Sequence, residues 1–137
     1  MRIRQAVILC GGRGTRLGAL TASTPKPLLP VAGRPFLDHL IEEVARQGVR
    51  RILLLASFGA DLITRYAAEA PKRIPVPVAI DVSVEPGMAG TAGAVICAHE
   101  KLDDRFYLLN GDSWCDVLLS DLAGALSRNP DAAAALF

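Results

Sequence analysis

The chain has 137 residues, with 15 Lys and Arg against 14 Asp and Glu, a formal net charge of +1 and 51% hydrophobic residues. That length suits one domain with a real core rather than two, and the high apolar fraction excludes a disordered chain. The near-neutral balance leaves no excess of cations to release counterions, so nucleic acid is excluded as a partner on electrostatic grounds. No apolar run reaches the roughly 18 residues needed to cross a bilayer, and the short run behind Arg2 and Arg4 cannot serve as a signal-peptide core. The expected setting is cytoplasmic, away from any membrane.

In chain order, the apolar run 5–10 stops at Gly11-Gly12 and predicts a buried strand. Residues 35–47 place Phe36, Leu37, Leu40, Ile41 and Val44 at helical spacing, with Pro35 in the first turn and Gly48 as the stop. Residues 51–56 predict a second buried strand, and 60–69 a helix built on Leu62, Ile63 and Tyr66. The β-branched stretch 78–85 predicts a third strand. A small-residue helix follows over 89–99, then a strand over 106–110 and a helix over 118–128. Asn129-Pro130-Asp131 reads as a turn. The closing run 132–137 is wholly apolar and is expected to be a strand by context, since its alanines carry no β preference of their own. Strands alternating with helices imply parallel pairing in an α/β sandwich, and such sheets bind ligands beyond the carboxyl ends of their strands. Three motif-rich segments fall at such ends: after Cys10, around Glu85 and after Asn110.

Cys10, Cys97 and Cys115 make an odd count without C-x-x-C spacing, so they are expected to be small core hydrophobes rather than disulfides or zinc ligands. His39 and His99 have no ligand-spaced partner. His39, beside Asp38 and Glu42, reads as part of a solvated helix face.

The first loop, Gly11-Gly12-Arg13-Gly14-Thr15-Arg16-Leu17, follows a strand directly. Its glycines let backbone N–H groups approach an anion. The dinucleotide fingerprint fails because Leu17 stands where its third glycine is needed, and no Gly-Lys-Ser/Thr tripeptide is present. The cations Arg13, Arg16 and Lys26 supply what such an anion site requires. Prolines on both sides stiffen the backbone at Lys26. Arg offers a planar fork and Lys a compact point charge, so together with the inward amides they can hold a triphosphate.

The run from Leu9 to Leu17, then Leu20-Thr21 and the segment Pro25-Lys26-Pro27-Leu28-Leu29-Pro30-Val31-Ala32-Gly33-Arg34-Pro35, resembles the signature of the sugar-1-phosphate nucleotidyltransferases (NDP-sugar pyrophosphorylases). The resemblance extends over essentially the whole chain. It implies a Rossmann-like, mostly parallel sheet with helices on both faces. It also implies Mg²⁺ dependence and the reaction of an NTP with a sugar 1-phosphate to give an NDP-sugar and pyrophosphate. Leu9, Cys10, Gly11, Gly12, Gly14 and Thr15 then fall at nucleotide-contacting places. Cys10 stands where the family usually has Ala, a change small enough to be neutral.

By the same resemblance, Glu85 and Gly90, with Thr91 beside them, fall where the family contacts the base edge. A carboxylate only accepts hydrogen bonds, and guanine presents two adjacent donors, so guanine is favoured; some uridylyltransferase relatives also carry Glu near this place. Asp112 ends an apolar strand as a hard oxygen donor suited to Mg²⁺, and the resemblance makes it the metal ligand. Gly111 is expected to leave room for a ligand, and Asp116 to cap the helix over 118–128 or stay solvated. Trp114 fits either a lid or a packing residue.

The expected chemistry is in-line attack by a sugar-phosphate oxygen on the α-phosphorus, driven by positioning and electrostatics. Arg16 is assigned to the leaving pyrophosphate and Lys26 to the α-phosphate and sugar phosphate. Within the family, the segments around Gly33, Gln47 and Glu85 look most like guanylyltransferases acting on D-glycero-D-manno-heptose 1-phosphate or mannose 1-phosphate. Family members usually continue for about another hundred residues that contact the sugar. Residues 1–137 are thus expected to be the N-terminal nucleotide-binding part of a longer domain, ending inside a strand, with its exposed apolar end seeking cover and a homo-oligomer left open. The other readings are a uridylyltransferase, a transferase for another NTP, or a nucleotide-binding module without turnover.

Overall fold

The computed structural model describes residues 1–137. In chain order the elements are β1 (Gln5–Leu9), a small hairpin of β2 (Pro30–Val31) and β3 (Arg34–Pro35), α1 (Phe36–Arg46), β4 (Arg51–Ala56), α2 (Ala60–Glu69), β5 (Ala79–Val84), α3 (Gly90–Cys97), β6 (Tyr107–Asn110) and α4 (Leu119–Arg128). Short 3₁₀ turns lie at Thr15–Thr21, Lys26–Leu28, Ala70–Lys72 and His99–Lys101. No helix is long and apolar enough to cross a membrane.

Four strands form one parallel sheet in the order β5-β4-β1-β6. Side chains alternate between its faces with a period of two. Ala6, Ile8, Ile52 and Leu54 therefore share one face, where Leu37 and Ile41 of α1, Ile63 and Tyr66 of α2 and Leu119 of α4 cover them. Val7, Leu53 and Leu55 face the other way, against Ala94 of α3 and Ala98 just beyond it. Strands buried on both sides read as unbroken apolar runs, which is what β1 and β4 are. Each fully buried Leu or Ile in these layers contributes about 1.5–3 kcal/mol.

The topology positions the site. From β1 the chain steps outward to β4 and β5, then returns to place β6 on the opposite side of β1. The strand order reverses at the β1–β6 seam, so a crevice opens there beyond the carboxyl ends of the strands.

Several expectations need correction. Residues 132–137 form no strand; four alanines offer little side-chain area to bury, and Leu136 and Phe137 stay 90% and 72% exposed. Only Cys10 is buried, while Cys97 and Cys115 are exposed. The α1 face at 38–42 is not solvated: Asp38 is fully buried and Glu42 nearly so. His39 donates from Nε2 to the Val31 carbonyl at 2.7 Å and accepts from Arg34 at 3.2 Å, tying α1 to the β2–β3 hairpin. Of the two places expected for Asp116, the structure gives the solvated one. Gln47 caps α4 instead, accepting from the Leu119 N–H at 2.7 Å while donating to the Val117 carbonyl at 3.1 Å.

Candidate functional site

Three backbone hydrogen bonds hold neighbouring strand ends together just past the sheet. The Cys10 N–H donates to the Leu55 carbonyl at 2.8 Å, the Glu85 N–H to Ala56 at 3.0 Å and the Gly111 N–H to Leu9 at 2.9 Å. Gly11, Glu85 and Asp112 therefore emerge side by side from segments far apart in the chain. Between them lies a cavity of about 270 Å³, lined by Leu9, Gly11, Gly12, Glu85, Gly90, Thr91 and Asp112, together with Leu55, Met88, Ala94 and Asn110.

Glu85 is the polar anomaly of this cavity. Its Oε2 is buried and has no hydrogen-bond partner. A buried acceptor without a donor costs about 1–3 kcal/mol or more, so the carboxylate is set for a donor that the chain does not supply. A Cβ at Gly11 would lie 3.6 Å from Glu85 Oε1 and 3.2 Å from Ser57 Cβ. A larger residue there would close the space in front of the carboxylate.

The Pro25-Lys26 turn is held from two sides. Gly14, at φ +60°, accepts a 2.6 Å hydrogen bond from the buried Thr21 hydroxyl, and a Cβ on Gly14 would sit 3.3 Å from Lys26 Cβ. On the other side, a Cβ on Gly59 would come within 2.4 Å of Pro25 Cγ. So clamped, Lys26 Nζ reaches Asp112 Oδ2 at 3.1 Å. The other carboxylate oxygen, Oδ1, accepts from the Ser113 hydroxyl at 3.0 Å. The Lys26 ammonium holds the Asp112 carboxyl below the ordinary carboxylate range, burial opposes this, and Ser113 adds to the lowering. Burial and then the Asp112 charge push the Cys10 thiol up to about 12, which favours its protonated form.

Of the residues singled out from sequence, Leu9, Gly11, Gly12, Glu85, Gly90, Thr91 and Asp112 share the cavity, and Lys26 joins them through Asp112. Cys10 does not line it, and its side chain is packed inward at 1% exposure. Gly14 works as a support under Lys26. Thr15 and Arg16 lie exposed on the 3₁₀ turn outside the cavity. Gly111 makes no room for a ligand: a Cβ there would fall 2.5 Å from the Leu9 carbonyl oxygen, so the glycine allows β6 to close on β1. Asn110, Met88 and Gly59 were not anticipated. Asn110 had a readable signal, being the one polar residue of an apolar strand and lying at its carboxyl end; Gly59 had none, because its contact with Pro25 is tertiary.

No three His, Cys, Asp or Glu side chains converge on one point. Mg²⁺ keeps several waters and is commonly held by one or two carboxylates plus substrate phosphates. Asp112, an exposed carboxylate lining the cavity with Lys26 as its one cationic partner, fits that mode and does not fit a cage made wholly of protein.

Residues 5–136 match the family described as Nucleotidyl transferase. A D-glycero-alpha-D-manno-heptose 1-phosphate guanylyltransferase of Campylobacter jejuni is 35% identical over 118 residues, covering 86% of this chain and 52% of that protein. The bifunctional protein GlmU of Methanococcus maripaludis is 38% identical over 128 residues, 90% of this chain and 29% of its own length. The crystal structure of HddC from Yersinia pseudotuberculosis complexed with GMP-PN superposes with a TM-score of 0.78 at 34% identity, covering 90% of this chain and 54% of that one. The chain thus spans between about a third and about half of the length of these relatives.

Proposed function

This chain belongs to the nucleotidyl transferase family, and we propose that it forms the nucleotide-binding part of a cytoplasmic enzyme making a GDP-sugar and pyrophosphate from GTP and a sugar 1-phosphate. The observation that carries the guanine reading is the buried, unpartnered Oε2 of Glu85 in the strand-end cavity. Guanine offers a ring N–H and an adjacent exocyclic amine, two donors for the two oxygens of one carboxylate. Uracil offers one donor flanked by carbonyls, which repel the second oxygen. The likeness to a heptose 1-phosphate guanylyltransferase and to a structure holding GMP-PN supports the same base and a heptose or mannose 1-phosphate as co-substrate. Sugar-hydroxyl contacts are assigned to the portion of these relatives that the chain does not match.

In this reading the amides at Gly11 and Gly12 receive the phosphates, Gly90 and Thr91 flank the base, and Asp112 takes the Mg²⁺. A bound Mg²⁺ would offset negative charge on the triphosphate. Lys26 draws the α-phosphate and the incoming sugar phosphate together, offsetting the repulsion between two anions. Arg16, free of any ion pair on the exposed turn, swings onto the departing pyrophosphate. No general base is needed, because a phosphate monoester dianion is already nucleophilic near neutral pH. Positioning and charge stabilisation supply the acceleration.

The test pairs GTP, UTP, CTP, ATP and dTTP with mannose and heptose 1-phosphates and measures pyrophosphate. Release with GTP and one sugar phosphate is expected. Release with UTP instead overturns the role of Glu85, and GTP binding without release supports a nucleotide-binding module.

A further inference from the structure

The contact between Lys26 and Asp112 joins the residue assigned to phosphate with the residue assigned to metal, 86 positions apart in the chain. Both Asp112 oxygens are engaged, Oδ2 by Lys26 at 3.1 Å and Oδ1 by Ser113 at 3.0 Å. The serine hydroxyl can rotate away at little cost. Lys26 is different, because its charge repels a divalent cation from the very oxygen the cation needs. The backbone at Lys26 is clamped between Gly14 and Gly59, whereas its flexible four-carbon stem lets the ammonium turn to another anion nearby.

We propose that the Lys26–Asp112 pair is an exchange contact that couples the metal to the nucleotide: Lys26 blocks Asp112 until a triphosphate draws the ammonium away and frees the carboxylate for the divalent cation. This rests on the roles given above to Lys26 and Asp112. Linkage makes the coupling reciprocal, since whatever releases Asp112 for the metal must also favour the phosphate on Lys26. The pair is about 37–40% exposed on each side, so it is weak enough to be exchanged. A contact of this strength, with the repulsion it adds, lowers metal affinity by about three- to tenfold.

The experiment titrates the protein with Mn²⁺ alone and follows free Mn²⁺ by electron paramagnetic resonance, which needs no turnover. Lys26→Gln is expected to tighten Mn²⁺ binding to nucleotide-free protein by about three- to tenfold, and Lys26→Met to do the same. In an Asp112→Asn background the Lys26 substitution is expected to have no effect. With a non-hydrolysable GTP analogue bound, the ammonium has already left Asp112, so the tightening of Mn²⁺ is expected to disappear, while Lys26→Gln is expected to weaken binding of the analogue itself. Arg16→Gln controls for the general field, because Arg16 makes no contact with Asp112. If Lys26→Gln leaves Mn²⁺ affinity unchanged, or Arg16→Gln tightens it equally, the exchange contact is overturned while the nucleotide reading stands. If Asp112→Asn leaves Mn²⁺ binding intact in the GTP-analogue complex, the metal role of Asp112 falls and the exchange falls with it.

Discussion

Asp38 and Glu85 are both carboxylates held in the fold, and their surroundings are opposite. Asp38, on α1, is fully buried and fully served: the Tyr66 hydroxyl donates at 2.7 Å and Arg73 donates twice at 3.1 Å. Arg73 also lies over the Tyr66 ring, 5.6 Å from its centre. Glu85, at the carboxyl end of the sheet, has a buried oxygen with no donor. The first arrangement spends its hydrogen-bonding capacity inside the fold and locks α1, α2 and the turn after α2 together. The second leaves hydrogen-bonding capacity unused within the chain, which the proposed function assigns to the base. The same side-chain chemistry thus supports stability at one place and, in the proposed function, base recognition at the other. The difference lies in whether its partners come from the chain.

Lys26→Ala should give the largest effect and the most lopsided one. Turnover of the GTP reaction is expected to fall about 10²–10³-fold, the usual loss when one charge-stabilising group is removed. Stability should move by less than about 0.5 kcal/mol, because an exposed pair of this kind is worth little. Parallel measurements of pyrophosphate release and urea unfolding check both halves. A variant as active as the parent would remove Lys26 from the site.

Asp38→Asn should do the reverse. Breaking a buried ion pair costs about 3–5 kcal/mol; the Arg73 side chain is 40% exposed and can turn to water, which brings the expected loss to about 2 kcal/mol. GTP binding should persist. Acid sharpens the contrast. Burial alone would raise the Asp38 pKa, but the Arg73 and Tyr66 hydrogen bonds outweigh it and hold the group below its ordinary value of 3.8. The unfolded chain therefore binds more protons in the acid range, so this stabilisation is complete above the unfolded value and is lost as pH falls through the lower folded one. Thermal melts from pH 6 to pH 2 should show a shallower acid decline for Asp38→Asn than for the parent.

The sheet and the residue types of the site were legible because both follow from local pattern. Buried parallel strands read as apolar runs. The glycine loop after the first strand, with its arginines and Lys26, reads as an anion site, and the carboxylates at the other strand ends as donor-seeking or metal-binding groups. The misreadings at Asp38, Gln47 and Gly111 concern partners distant in sequence. Asp38 looked like part of a solvated face because its neighbours are His39 and Glu42, yet its partners come from α2 and from the turn beyond it. Gln47 looked like the end of α1, and only the fold makes it the cap of α4, 72 residues away. Lys26 and Asp112 were each picked out, but nothing local says that they touch. The run 132–137 shows the converse: context alone argued for a strand, and alanine has too little side chain to hold one in place.

Glu85→Gln tests the reserve capacity itself, with a smaller effect than either change above. Glutamine keeps the shape but exchanges one acceptor oxygen for an NH₂ donor. Facing guanine, that donor meets the ring N–H or the exocyclic amine, so one of two hydrogen bonds is replaced by a clash of donors. Facing uracil, the same amide finds an acceptor carbonyl next to the ring N–H. GTP affinity should therefore fall about tenfold, close to 1.4 kcal/mol, and the preference for GTP over UTP should narrow by at least as much. Unfolding should be unchanged or slightly harder, because a neutral amide is less costly to bury than a carboxylate oxygen without a donor. Calorimetric titration with each nucleotide, beside urea unfolding, measures all three quantities. Equal losses for GTP and UTP would mean that Glu85 shapes the cavity without reading the base, and its unpartnered oxygen would then belong with the structural carboxylates after all.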